Sequence, residues 1–234
     1  MRRLRKLGIV LAVIGVAFFV AGGVAFAMAR DGSRSLQKFS EVQNVTLSYN
    51  DAGNLVDRGT TEGADNIMAL LTEDWGYPVV QGDFDPNDPV VNTASEYMYQ
   101  MATVAYHTLH GTQTVVLDQP AEYDGVTYQA GTHEFPVEGR YWTDFNRLNP
   151  IEGIARGQAW TGTVHGLIAE LGVGTVTASA LQMAFALAGI LAGVGGTFLL
   201  TGLGLVWVDG ERKEELDYDG FLKQETAKKA PMSV

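Results

Sequence analysis

The chain has 234 residues, of which 46% are hydrophobic, and its 16 basic and 27 acidic residues give a net charge of −11. This excess of acidic residues repels nucleic acid and anionic lipid head groups, so the composition argues against a nucleic-acid partner. The chain contains no cysteine, which excludes disulfide bonds and leaves any exported domain to be stabilised by its core alone.

The first element is an apolar run at residues 8–28, which carries no charge and has about the 20 residues that a helix needs to cross a bilayer core. The run also has features of a secretory signal, because Ala25-Phe26-Ala27 forms an A-x-A cleavage site. It is longer than the roughly 7 to 15 apolar residues of a signal peptide, which favours a retained anchor. Under both interpretations the basic residues at positions 2, 3, 5 and 6 stay in the cytoplasm.

A second apolar run, near the carboxyl terminus, completes the predicted topology. We expect a cytoplasmic terminus at 1–7, a transmembrane helix at 8–28, an exported α+β domain at 29–178, a second transmembrane helix at 179–208 and a cytoplasmic tail at 209–234. Residues 30–170 contain 7 basic and 20 acidic side chains. The predicted exported domain is therefore strongly acidic.

The first half of this domain contains turn signals between short periodic segments. A polar linker is expected at 29–38, a short strand at 44–49, and a helix at 62–74 with Thr61 as its cap. The prolines and aspartates of residues 81–89 favour a loop. A third helix is predicted at 94–110, because Thr93 and Glu96 have the spacing of a capping box and Gly111 is a stop signal.

The second half of the domain reads as a small antiparallel sheet followed by a helix. Three short strands are predicted between residues 112 and 137, with Asp124-Gly125 as a hairpin turn. A helix from Pro150 to Gly172 is predicted next, because Asn149 is a favourable cap and proline suits the first helical position.

The helix at 94–110 contains the sharpest motif in the chain, the pair His107 and His110. Its apolar stripe, which includes Met101, is expected to pack on the small sheet. The two histidines share the opposite, polar strip with Glu96, and we expect His110 to be at least partly exposed. A solvated polar face is therefore the favoured interpretation of the motif.

A metal site is the alternative interpretation, because two imidazoles on one helical face can bind non-haem iron or zinc. Two ligands are too few, and Glu96 is about 16 Å along the helix from His107, too far to be the third. Further ligands would have to come from residues that the sequence does not place, namely His133, Glu134, Asp144, His165 or Glu170. The sequence therefore predicts no cofactor.

The loop with Asp83, Asp85, Asn87 and Asp88 imitates the opening of a calcium-binding loop. Asp88 stands where such a loop needs glycine, and Ala94 stands where it needs a bidentate glutamate. An acidic surface turn is the favoured interpretation.

Small residues recur every four positions in both apolar runs and predict close helix packing, within the chain, with a second copy or with another membrane protein. A frequent use of Ala and Gly in membrane helices would produce the same pattern without such contacts. The predicted packing residues are Ala17, Ala21, Ala25, Ala184, Ala188, Gly189, Ala192, Gly193 and Gly196.

Three stretches carry a resemblance to a known group: YQMATVAYHTLHGTQTVVL, GRYWTDFNR and AWTGTVHGLIAELGVGTVTASALQ. They resemble actinobacterial membrane proteins with the same two-span layout, which are often labelled aromatic ring-opening dioxygenases. The resemblance implies a cell-membrane location, and the label implies a non-haem iron held by two histidines and one carboxylate. His107 and His110 would be that histidine pair.

The sequence as a whole predicts a multi-pass membrane protein, with membrane lipid as a partner, that is a structural or interaction component of a bacterial envelope. The alternative is a membrane-tethered, metal-dependent enzyme of the ring-opening type. No nucleophile elbow, phosphate-binding loop or H-E-x-x-H motif occurs in the chain.

Overall fold

A computed structural model describes residues 2–229 as a mixed α+β protein with long apolar helices at both ends. Its described helices and strands are, in order, α1 (Arg2–Gln43), α2 (Thr61–Ala69), a π-helical turn (Leu70–Asp74), a 3-10 turn (Gln81–Asp83), α3 (Ala94–Leu109), β1 (Thr112–Leu117), β2 (Ala121–Tyr123), β3 (Val126–Tyr128), β4 (Gly131–Pro136), α4 (Pro150–Ala159) and α5 (Gly162–Lys229).

The described chain divides into two compact units. The helical unit contains the residues up to Gly32 together with those from Leu181 onward, and the central unit is Ser33–Ala180. Helices α1 and α5 contribute residues to both units. The polar linker predicted at 29–38 is helical instead, because α1 continues through these residues to Gln43. The predicted tail is helical as far as Lys229, and its last five residues, 230–234, lie outside the described residues.

Local signals place most helix starts in the central unit. Thr93 and Glu96 form the predicted capping box of α3, and the Asn149 side chain caps α4 by accepting bonds from the next helical N–H groups. The cap of α2 is Thr60, whose hydroxyl accepts the N–H of Gly63 at 3.1 Å, so the prediction of Thr61 was wrong by one residue.

The helix predicted at 150–172 is two helices. The first, α4, ends at Ala159, and its C-cap residue Trp160 donates its N–H to the carbonyl of Arg156. The second, α5, begins at Gly162 and continues through the second apolar run. The Thr161 hydroxyl accepts the N–H of Val164 at 3.1 Å and so supplies a start signal for α5. The predicted end at Gly172 is wrong, because a glycine without a following turn does not stop a helix.

The strands form two separate two-stranded antiparallel sheets. β1 pairs with β4, and β2 pairs with β3 through the predicted turn, in which Asp124 and Gly125 both have positive φ. The strand predicted at 44–49 is reduced to isolated bridges from Thr46 to Val90 and from Tyr49 to Leu55.

Helix α3 is the centre of the main core. It packs chiefly against α2 and the π-helical turn. The Met101 stripe faces a cluster without strand residues, so its predicted packing on the sheet is wrong; Phe135 of β4 packs against the cluster that holds Ala105 and Leu109 at the other end of α3. Ile67, Leu71, Val91 and Ala102 are fully buried in this core. Buried residues occur on several sides of α3, so few of its side chains reach solvent.

Candidate functional site

Glycines bring the two long helices of the helical unit into backbone contact. Gly8, Gly15 and Gly22 recur every seven residues along α1. A Cβ atom added at Gly15 would lie 2.5 Å from the Leu199 nitrogen and 2.7 Å from the Gly195 oxygen. A repeat of seven keeps one face of a helix turned toward its neighbour, so these glycines define one continuous seam.

The predicted small-residue stripes lie only partly on this seam. Ala188 is 2% exposed, and the backbone atoms of Ala188 and Ala192 approach Gly22. Ala184, Ala25 and Gly196 are half-buried. The remaining predicted positions lie on exposed faces; they are Ala17, Ala21, Gly189 and Gly193.

The predicted stripes do not include the seam glycines, because the stripes have a period of four residues and the contacts have a period of seven. The signal was present in the sequence, since Gly195 and Gly202 have the same spacing on the partner helix. Their built Cβ atoms would meet the backbone of Gly15 and Gly8.

The two histidines of the H-x-x-H motif have different partners. The Nε2 atom of His107 lies 3.0 Å from Oδ1 of Asp57, and both side chains are largely buried. The Nδ1 atom of His110 lies 2.9 Å from the carbonyl oxygen of Tyr106, and its ring stacks on the Tyr106 ring. His110 is exposed, as predicted.

Three of the other candidate metal ligands, His133, Asp144 and His165, also have separate hydrogen-bond partners. Ring nitrogens of His133 and His165 lie within hydrogen-bond distance of backbone carbonyls four residues earlier, and Asp144 accepts the N–H of Tyr141. Among the side chains that the structure describes, no three of His, Asp or Glu are grouped so that they could hold a metal ion. The geometry thus gives His107 and Asp57 the role of joining α3 to the loop before α2.

The acidic loop is organised by its own side chains. Oδ1 of Asp85 accepts the backbone and side-chain N–H groups of Asn87, and Oδ2 of Asp88 accepts the side-chain N–H of Asn92. These bonds are typical of a turn in which aspartate closes the backbone.

Glu96, predicted on the polar strip, is instead 1% exposed. Its Oε2 accepts the N–H groups of Asn92 and Thr93 and the Thr93 hydroxyl at 2.9 to 3.0 Å. Burial raises the pKa of Glu96, and these hydrogen bonds oppose the shift. The carboxylate serves the capping box and lies at the start of α3.

Two tyrosines, Tyr49 and Tyr99, have buried hydroxyl oxygens without a hydrogen-bond partner in the described structure. Burial, reinforced by the carboxylates of Glu96, Asp85 and Asp88, raises the pKa of Tyr49 to about 12. Burial also raises the pKa of Tyr99. Both phenols are therefore protonated at neutral pH.

An apolar pocket of about 720 Å³ lies in the central unit, between the end of α1, the middle of α3 and the start of α5. Its size is in the range of about 300 to 1,000 Å³ found for small-molecule sites. Its lining side chains are mainly apolar and include Leu36, Phe39, Val104, Leu167, Leu171 and Val173.

Tyr97 forms one wall of this pocket. Its hydroxyl lies 2.8 Å from Oγ of Ser40 in a buried hydrogen bond, and its ring fills the space beside Gly174 that a Cβ atom would occupy. Burial raises the pKa of Tyr97, against the opposing effect of the Ser40 bond. Tyr97 therefore links all three helices around the pocket and remains neutral.

Polar groups occupy part of the same lining. Gln43 and Asn44 come from the end of α1, and Gln100 comes from α3. Glu170, an exposed residue of α5, is the one Asp, Glu, Lys or Arg among the lining residues, all of which belong to the described chain. The pocket combines apolar walls with a single negative charge.

Comparison with known proteins finds no matching family, no similar characterised protein and no similar solved structure.

Proposed function

We propose that this chain is an integral protein of a bacterial cell membrane, and that its central unit is exported and serves as a structural or interaction component of the envelope. The observation that carries the proposal is a pair of helices, α1 and α5, that are long and apolar enough to cross a membrane. Only 11% of the most apolar window of each helix is buried. A core helix of a soluble protein hides such a surface, whereas lipid tolerates it.

The seam between these helices supports the same proposal. Lipid tails offer no hydrophobic drive for helices to associate, so membrane helices rely on small residues that allow close backbone approach. Gly15 and Gly195 provide such an approach. Pairs of phenylalanines flank the seam, with Phe18 and Phe198 in an edge contact at 6.4 Å between ring centres.

The distribution of charge supports the proposed orientation. Four basic residues precede the first apolar run, and basic residues near a span favour the cytoplasmic side. Both termini would then be cytoplasmic and the acidic central unit extracytoplasmic. The proposed partners are membrane lipid and, through the exposed small residues Ala17 and Ala21, a second copy or another membrane protein.

The apolar pocket supports the interaction role. A cavity with apolar walls and a few polar groups is the usual form of a site for an apolar ligand. The metal-enzyme alternative would need His107 and His110 to bind the same metal ion. Instead, a ring nitrogen of His107 lies next to Asp57, and one of His110 lies next to the carbonyl oxygen of Tyr106.

Alkaline extraction of membranes that contain the full chain tests the proposal, because high pH removes peripheral proteins and leaves spanning ones. We expect the chain in the membrane pellet, with its amino-terminal residues still present. Recovery of the chain in the supernatant would contradict membrane insertion. A new amino terminus after Ala27 would contradict the retained first span.

A further inference from the structure

The pocket of the central unit has a size and an apolar lining that suit an acyl chain of a lipid. We infer that it holds one acyl chain of a membrane lipid whose head group carries an amine and no net negative charge. This inference rests on the proposed function, because it requires that α1 and α5 enter a bilayer. Three observations lead to it.

The first observation is the position of the pocket along the two long helices. Leu36 lies eight residues after Met28, the end of the first apolar run, which is about 12 Å along a helix. Thr177 lies within the uncharged residues 171–208, six residues or about 9 Å along a helix before Met183, where the second apolar run (183–208) begins. The pocket residues of both helices are therefore close in sequence to the apolar runs that are proposed to enter the bilayer.

The second observation is that several apolar side chains of the lining are exposed to solvent. Phe39, Leu167 and Val173 are 50%, 42% and 66% exposed although they line the pocket. Leu171, 7% exposed, and Val104 lie with them in the lining. An acyl chain would cover these side chains and remove them from water.

The third observation is charge. The Glu170 carboxylate lines the pocket, and no basic side chain of the described residues does. An anionic head group would be repelled there, whereas an ammonium group would be attracted and could also meet the side-chain oxygens of Gln43 and Gln100. The charge thus selects an amine-bearing zwitterionic lipid over an anionic one.

The test uses the full chain in bilayer discs of phosphatidylcholine that contain a small fraction of a phosphatidylethanolamine probe, with a photoactivatable diazirine near the end of one acyl chain. After irradiation, mass spectrometry identifies the labelled peptides. We expect label on the peptides that contain Val104 and Leu171, in addition to the lipid-facing runs 8–28 and 183–208. A phosphatidylglycerol probe with the same chain should label the pocket peptides about fivefold less.

Two variants on neighbouring positions of α5 separate pocket binding from general lipid contact. Thr177→Trp fills the pocket from its lining and should reduce labelling of the Val104 peptide at least about fivefold. Val176→Trp adds the same ring at a position that is 69% exposed and outside the lining, and it should leave labelling unchanged. Because Thr177 is only partly buried, helical content measured by circular dichroism should be the same in both variants.

Unlabelled single-chain lipids of increasing length give a second measurement. At equal mole fraction in the discs, competition with the probe should rise with chain length, because a longer chain covers more of the exposed apolar lining, and should level off once the pocket is full. No dependence on chain length, or a rise without a plateau, would contradict a pocket of fixed size.

The outcomes distinguish this inference from the proposed function. Label confined to 8–28 and 183–208 would overturn the lipid pocket and leave the membrane proposal intact. Label absent from those two runs would overturn the membrane proposal, and the pocket with it. Equal pocket labelling by the two head groups would overturn the role assigned to Glu170.

Discussion

Replacement of Gly15 by alanine should weaken the contact between α1 and α5. The added methyl carbon would lie 2.5 Å from the Leu199 nitrogen, whereas ordinary contacts begin at 3.4 Å. The atoms it meets belong to the backbone and cannot rotate away, so the helices must separate by about 1 Å. Overpacking of this kind costs roughly 1 to 3 kcal/mol.

Gly23→Ala is the matched control, because it lies on the same helix and its added methyl group would have no atom within 4 Å. Alanine favours a helix over glycine by about 1 kcal/mol at either position. This gain cancels in the comparison of the two variants. The free energy of unfolding of Gly15→Ala should therefore be about 1 to 3 kcal/mol lower than that of Gly23→Ala.

Unfolding of the full chain in mixed micelles, titrated with sodium dodecyl sulfate and followed by circular dichroism, measures this difference. Gly195→Ala should behave like Gly15→Ala, since its methyl group would lie 2.6 Å from the Phe19 nitrogen. Equal stabilities for Gly15→Ala and Gly23→Ala would refute the close seam.

Four further predictions concern the central unit, and unfolding of the full chain in micelles measures the stability change in each. Burial raises the pKa of Glu96, so wild type should lose stability relative to Glu96→Gln as the pH rises from 4.5 through the folded pKa; a constant difference across that range would contradict this. His107→Ala should cost about 1 kcal/mol through loss of the bond to Asp57. His110→Ala, at an exposed position, should change stability by less than about 0.5 kcal/mol. Elemental analysis that finds stoichiometric iron or zinc in wild type, and none in the double variant His107→Ala, His110→Ala, would favour the metal enzyme. Asn149→Ala should cost about 1 kcal/mol through loss of the α4 cap, and an unchanged midpoint would rule out the cap as a source of stability.

Signals that act within a few residues of the chain predicted two helix caps and one hairpin turn. The Thr93 and Glu96 capping box, the Asn149 cap and the Asp124-Gly125 turn are all present where the sequence places them. These features depend on backbone geometry over two to four residues. The side chains of those same residues determine that geometry.

Features that depend on distant residues could not be predicted in this way. Glu96 has the helical position of a surface residue, and only the fold reveals that it is buried. The partner of His107 is Asp57, fifty residues earlier, and the Tyr97 ring is placed by Gly174 on another helix. Helical periodicity gives the direction of a side chain but not what lies beyond it.

The pocket was not predicted for the same reason, since its walls come from three helices that are far apart in sequence. Gly172 shows the converse limit. It looks like a stop signal for the helix predicted from Pro150, yet α5 continues through it because Gly172 does not adopt the left-handed conformation that ends a helix.

Two-sided labelling of single cysteines tests the central claim, an exported unit between two spans, most directly. The natural chain has no cysteine, so Asp51→Cys and Gly220→Cys each introduce one unique thiol at an exposed position. In spheroplasts, a membrane-impermeant maleimide should label Asp51→Cys at once and Gly220→Cys only after the membrane is permeabilised. Labelling of Gly220→Cys but not Asp51→Cys before permeabilisation would contradict the orientation, and immediate labelling of both would contradict an even number of spans.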